Sequence, residues 1–148
     1  MSNELLSNVY VISNVAFKGN SVNTLHASGD HPRKLALFPG TQEKLEVQNV
    51  GGGRYIITAT GTNAAIIDNA VYGVFHQPPV TERWTLEYHP QYNAYTVNAT
   101  SQHGAWTLPK GDLHTQVVVH PITAHPTSEE FKKSLFTFTG PGPHAHDE

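Results

Sequence analysis

Apolar residues in this chain fall in short runs rich in β-branched and aromatic types, separated by Gly, Pro, Asn and Asp. No window keeps a 3.6-residue apolar period over three turns, so the pattern argues for strands closed by turns rather than for helices. It predicts twelve strands. The first four lie near Val9–Val15, Val22–Leu25, Leu35–Phe38 and Leu45–Gln48, the next four near Tyr55–Ala59, Ala64–Ile67, Val71–Phe75 and Trp84–Tyr88, and the last four near Tyr95–Ala99, Ala105–Leu108, Gln116–Val119 and Leu135–Thr139.

These strands group into three copies of roughly forty residues. The copies open on Asn8-Val9-Tyr10-Val11-Ile12, Gly53-Arg54-Tyr55-Ile56-Ile57 and Asn93-Ala94-Tyr95-Thr96-Val97, a tyrosine followed by β-branched residues each time. Before the closing strand of each copy a run ends on proline, at Pro39, Pro78 and Pro121. Proline lacks the N–H that a ladder needs, so it marks strand ends. An all-β repeat of this length predicts a β-trefoil, in which first and last strands of each unit build a six-stranded barrel and the middle pairs form three capping hairpins. The expected organisation is one domain over 1–148, with repeats at about 8–50, 51–90 and 91–140 and a fraying tail at 141–148. Trp84 and Trp106 are expected in the core, where large aromatics give a small barrel much of its burial.

Composition narrows the function. A chain of 148 residues can bury a real core, and its formal net charge of -3 with nine scattered Lys and Arg residues leaves no footprint for nucleic acid or an anionic membrane. There is no cysteine, which removes disulfides and thiolate chemistry together. No apolar run approaches a membrane span or a signal peptide, so a soluble, cytoplasmic protein is expected.

Loops carry function in such folds, so the places where the copies differ are informative. Between its second and third strands the middle copy needs only Asp68-Asn69-Ala70, whereas the first uses Ala27 to Lys34, ending in Pro32-Arg33-Lys34. Before its last strand the third copy inserts Ile122 to Lys133, ending in Lys132-Lys133. An exposed Lys or Arg on a rigidly held loop is what the acidic primary pocket of a trypsin-like protease accepts. A stiff loop also loses little entropy on binding, and Pro32 restrains the backbone next to Arg33. Arg33 is therefore the first candidate for the residue entering the pocket, Lys34 stands beside it, and Lys132 or Lys133 comes next. Lys18 and Lys110 read as hairpin-turn residues, and Arg54 follows a flexible glycine triplet.

Other chemistry has less support. Ten histidines are present, with His120, His125, His144 and His146 nearest to a cluster, but their spacing fits no ligand pattern, and no metal or other cofactor is expected. No Gly-x-Ser-x-Gly elbow or matched carboxylate pair suggests an enzyme. The alternative is carbohydrate binding, with Asp68, Asn69 and Tyr72 in one shallow site and Asp112 in another; Asp68-Asn69 reads more readily as a tight turn.

The residues Ala65-Ile66-Ile67-Asp68-Asn69, Pro78-Pro79, Glu82-Arg83-Trp84, Asn93-Ala94-Tyr95-Thr96-Val97, Trp106-Thr107-Leu108-Pro109 and Thr115-Gln116-Val117-Val118-Val119 give the chain a likeness to a known group. It resembles the fungal β-trefoil serine protease inhibitors, the mycospins, over nearly its whole length. That resemblance implies a defence protein that blocks trypsin-like serine proteases with an Arg or Lys presented by the loop between strands two and three or between strands eleven and twelve. The related fungal ricin-B-like lectins carry Gln-x-Trp at the unit ends, where this chain has Glu43-Lys44-Leu45 and Glu82-Arg83-Trp84.

Overall fold

The computed structural model describes residues 4–26, 29, 31–40, 44–59, 61–75 and 82–140. The tail at 141–148 and the proline-rich run at 76–81 lie outside the described residues.

The strands are β1 (Asn8–Asn14), β2 (Asn20–Thr24), β3 (Arg33–Pro39), β4 (Leu45–Gly51), β5 (Arg54–Ala59), β6 (Thr62–Ile67), β7 (Ala70–Val74), β8 (Trp84–His89), β9 (Ala94–Asn98), β10 (Ala105–Thr107), β11 (Val118–His120) and β12 (Phe136–Thr139). A 3-10 helix at Glu130–Ser134 interrupts the long segment before β12. The strands form a single antiparallel sheet. Its pairings close a circuit of ten strands, β1-β2-β3-β7-β11-β10-β9-β8-β5-β4 and back to β1, while β12 bridges β1 and β9 and β6 bridges β5 and β7.

This corrects the expected fold. The sequence predicts a β-trefoil with a six-stranded barrel and three separate capping hairpins; the structure is an all-β closed barrel in which all twelve strands of the described residues belong to one sheet. The reason lies at the outer edges of the middle strands. Arg33 and Lys34 of β3 register with Gly73 and Tyr72 of β7, and Val118 of β11 registers with Ala70 of β7. The N–H groups of Val71 and Val117 extend this by donating to Val117 and Leu35 carbonyls at 2.9 and 2.8 Å. Unpaired strand edges are unfavourable, and here they satisfy one another across the units, so the expected caps merge into the sheet.

Burial alternates along the paired strands. In β5, Tyr55, Ile57 and Ala59 are buried while Ile56 and Thr58 lie between them half-exposed; in β4, Leu45 and Val47 are buried while Glu46 and Gln48 face water. This period of two follows from the pleat. The same position is buried in each sequence copy: Tyr10, Tyr55 and Tyr95 open the copies, and Leu45, Trp84 and Phe136 begin their closing strands. Each such side chain contributes about 1.5–3 kcal/mol by leaving water. Their rings meet edge to face, Tyr10 and Tyr95 on Phe138 at 6.0 and 5.6 Å, and Trp106 on Trp84 and Phe136 at 5.5 and 5.6 Å. A smaller cluster, Ala94, Phe131 and Leu135, seats the 3-10 helix against the barrel.

Candidate functional site

The β2–β3 connection is closed at its base by the barrel. Residues 20–24 pair with 35–39 in unbroken register, and the Leu25 N–H donates to the Lys34 carbonyl at 2.7 Å. Ala27, Ser28 and Asp30 lie outside the described residues; His31 and Pro32 are exposed. Arg33 and Lys34, expected on the loop, are the first residues of β3. The two side chains behave differently because a strand sends neighbours to opposite faces. The Arg33 guanidinium carbon lies 4.6 Å from the centre of the Phe75 ring, a cation–π contact, and its Nε is buried without a hydrogen-bond partner among the described residues. Lys34 is exposed.

The second basic pair is held in another way. Lys132 and Lys133 belong to the 3-10 helix, where their ammonium groups reach back one turn to Glu129 at 3.0 Å and Glu130 at 3.1 Å. Both are half-buried. The Lys133 carbonyl also accepts hydrogen bonds from the Asn14 side-chain amide and the Leu108 N–H, each at 3.0 Å. This segment therefore has folded geometry and its own core in Phe131, not the extended form of a substrate strand.

The residues considered for sugar binding are spread over separate elements. Asp68 and Asn69, at φ 52° and 62°, are the two central residues of the β6–β7 hairpin, whose flanking Ile67 and Ala70 pair directly. Two positive φ values in a two-residue loop define a type I′ turn, for which Asp and Asn are favoured. Asn69 accepts from the Gln102 amide at 3.0 Å through Oδ1 and from the Val119 N–H at 2.7 Å through its carbonyl. Tyr72 is half-buried in β7 opposite Ala65 and Lys34. Asp112 stands beyond β10 in an exposed ion pair with Lys110 at 3.6 Å. Of the histidines, His120 and His125 make local bonds, to the Pro121 carbonyl and the Thr127 hydroxyl, each at 2.8 Å; His144 and His146 lie outside the described residues.

Two anchors were not read from the sequence. The Glu82 carboxylate, almost fully buried, accepts hydrogen bonds from the N–H and hydroxyl groups of both Thr100 and Ser101. It pins the turn after β9 to the start of β8. The second is Phe17, whose ring lies against Gly111 so closely that a methyl group there would meet Cδ1 at 2.5 Å. A lone Glu and a lone Gly carry no periodic signal, and only their spatial partners reveal them.

An all-β barrel carrying exposed basic residues on firmly held connections is a scaffold for binding a partner through its surface. The structure is similar to a proteinase inhibitor from Coprinopsis cinerea, with a TM-score of 0.76, 22% identity and coverage of 90% of this chain and 97% of the other. It is also similar to the Rhizoctonia solani agglutinin, with a TM-score of 0.72, 13% identity and coverage of 95% and 99%. A lectin from Polyporus squamosus gives a TM-score of 0.73 at 9% identity, covering 91% of this chain and 49% of that one. At these identities the likeness is one of fold. No curated protein sequence matches the chain significantly. The model of the peptidase inhibitor I66 family matches residues 2–140, and the chain belongs to that family. It is a non-catalytic inhibitor of peptidases.

Proposed function

We propose that this inhibitor acts on trypsin-like serine proteases, and that it does so through the β2–β3 connection with Lys34 as the basic side chain offered to the primary pocket. The observation that carries the reading is the contrast between three basic residues of the two expanded segments: Lys34 is exposed, Arg33 is packed on Phe75, and Lys132 is paired with Glu129. A long cation exposed to solvent is available to reach a buried carboxylate at the bottom of a pocket. The paired walls of β2 and β3 hold the loop ends together, which limits the ordering entropy lost on binding. Titration of trypsin with the protein tests the target class: inhibition at or below micromolar concentration is expected, and its absence rules the class out. Lys34→Ala, Arg33→Ala and Lys132→Ala, compared in the same assay, test the segment.

A further inference from the structure

The connection between β10 and β11 contains Pro109-Lys110-Gly111-Asp112, a basic residue between a proline and a glycine. Read locally, it is a turn. Its surroundings give it a different character, because both ends are fastened while the middle is bare. On one side Leu108 is fully buried and its N–H donates to the Lys133 carbonyl at 3.0 Å. On the other, Gly111 lies against the Phe17 ring, the Thr115 N–H donates to the Asp112 carbonyl at 3.1 Å, and the His114 N–H donates to the Leu37 carbonyl at 2.6 Å. The His114 ring also stacks on Phe38 with centroids 4.9 Å apart. Between these anchors Pro109 and Lys110 are exposed, and Pro109 restrains its own φ. The Lys110 side chain makes one ion pair, with Asp112 at 3.6 Å, and both members are largely solvated, so releasing it is easy.

We infer that this connection is a second protease-binding loop, with Lys110 entering the acidic primary pocket of a trypsin-like enzyme. The inference rests on the proposed target class and not on the choice of the β2–β3 connection. The backbone context favours it. Lys34 has its carbonyl bonded to Leu25 and registers with Tyr72, and Lys132 is helical, whereas Lys110 lies outside the ladders at an exposed bend. A protease pairs with the extended backbone of its substrate, and the Lys110 segment, lying outside the ladders, can supply an edge for that pairing.

The anchors also explain how such a loop would inhibit instead of being consumed. Attack by the protease serine oxygen on the Lys110 carbonyl carbon breaks the bond to the Gly111 nitrogen, which leaves as an amine carrying the proton relayed by the protease histidine. Gly111 is lodged against Phe17 and the chain beyond it is bonded to Leu37, so the amine stays beside the acyl group. It then attacks the ester, returns the serine oxygen its proton, and restores the peptide bond. Close confinement of the two ends makes this return fast relative to hydrolysis by water.

The test uses the Lys34→Ala variant as background, where the β2–β3 contribution is removed. Residual trypsin inhibition is expected there, with the inhibition constant raised at least tenfold further by Lys110→Ala and retained by Lys110→Arg. Mass spectrometry after prolonged incubation with trypsin is expected to find slow scission between Lys110 and Gly111 in the otherwise intact chain. Inhibition in that background that ignores Lys110→Ala overturns the second loop alone, as does complete loss of inhibition in Lys34→Ala. No inhibition of trypsin by the unaltered protein overturns the target class and the second loop together.

Discussion

The Tyr55 hydroxyl donates a hydrogen bond to the Leu5 carbonyl at 2.9 Å, across fifty positions of sequence. Leu5 is fully buried, and the Tyr10 hydroxyl holds the next carbonyl, that of Leu6. Two tyrosines that open successive copies thus tie the N-terminal segment down. Tyr55→Phe keeps the ring and leaves the Leu5 carbonyl to the longer hydrogen bond from the Asn49 side-chain amide at 3.3 Å, so a loss of about 1 kcal/mol is expected. Urea unfolding of the variant against the parent protein measures it, and an unchanged midpoint contradicts the role.

The same tyrosines set an alkaline limit on stability. Burial pushes the Tyr55 hydroxyl up to about 12, the Leu5 hydrogen bond opposing this and nearby Glu4 and Tyr10 adding to it. Burial also raises Tyr95 and Tyr10 above the ordinary phenol value of 10.0. A raised value in the folded state means that the neutral phenol is favoured there. The stabilisation is complete below pH 10 and disappears as pH climbs through the folded-state values. Absorbance at 295 nm followed with circular dichroism is expected to show tyrosines that titrate late and together with loss of structure, the Tyr55 contribution falling away between pH 10 and about 12.

Removing the Glu82 carboxylate leaves the N–H groups of Thr100 and Ser101 without their shared acceptor. Glu82→Ala is expected to lower stability by about 1–2 kcal/mol, since hydrogen bonds to a charged group are the stronger kind, while Thr100 and Ser101 are exposed and water can replace part of what is lost. Thermal unfolding measures this. Trypsin inhibition by the folded variant is expected to match the parent.

For the β6–β7 turn the expectation is conformational. Asn69 sits at φ 62°, which alanine adopts at a penalty of roughly 1–2 kcal/mol, whereas glycine adopts it freely. Asn69→Ala is therefore expected to destabilise more than Asn69→Gly, although both lose the Gln102 bond. Equal losses in denaturant titrations would assign the effect to that hydrogen bond instead.

In the proposed protease contact, Lys34→Ala is expected to raise the inhibition constant for trypsin roughly thirtyfold or more, the equivalent of about 2 kcal/mol for a central contact residue. Lys132→Ala and Lys133→Ala are expected to leave it within a factor of three. Steady-state inhibition assays on the three variants distinguish the segments.

Much of the strand content was legible in the chain. The runs at Tyr55–Ala59, Ala64–Ile67 and Ala105–Leu108 match β5, β6 and β10 within two residues at each end, because β-branched clusters between Gly, Pro and Asn are local signals. The 3-10 helix at Glu130–Ser134 looks like loop in the sequence, since five residues are too few to display a helical period. Arg33 and Lys34 look like loop in the sequence for a different reason. They carry no strand propensity of note, and what makes them strand is Gly73 and Tyr72 of β7 alongside.

Taken alone, the sequence determined that the chain is built from short strands, that tyrosines and tryptophans at recurring positions form its core, and that two connections break the repeat. These are properties of local pattern, and local propensity and burial preference encode them. The closure of the sheet was decided only in three dimensions, because the outer edges of β3, β7 and β11 find one another by satisfying backbone groups that every residue carries identically. So was the difference between the basic residues. Lys34, Arg33, Lys132 and Lys110 are all basic residues in the sequence, and only their neighbours make one exposed at the start of β3, one stacked on Phe75, one paired with Glu129 and one exposed between two anchors.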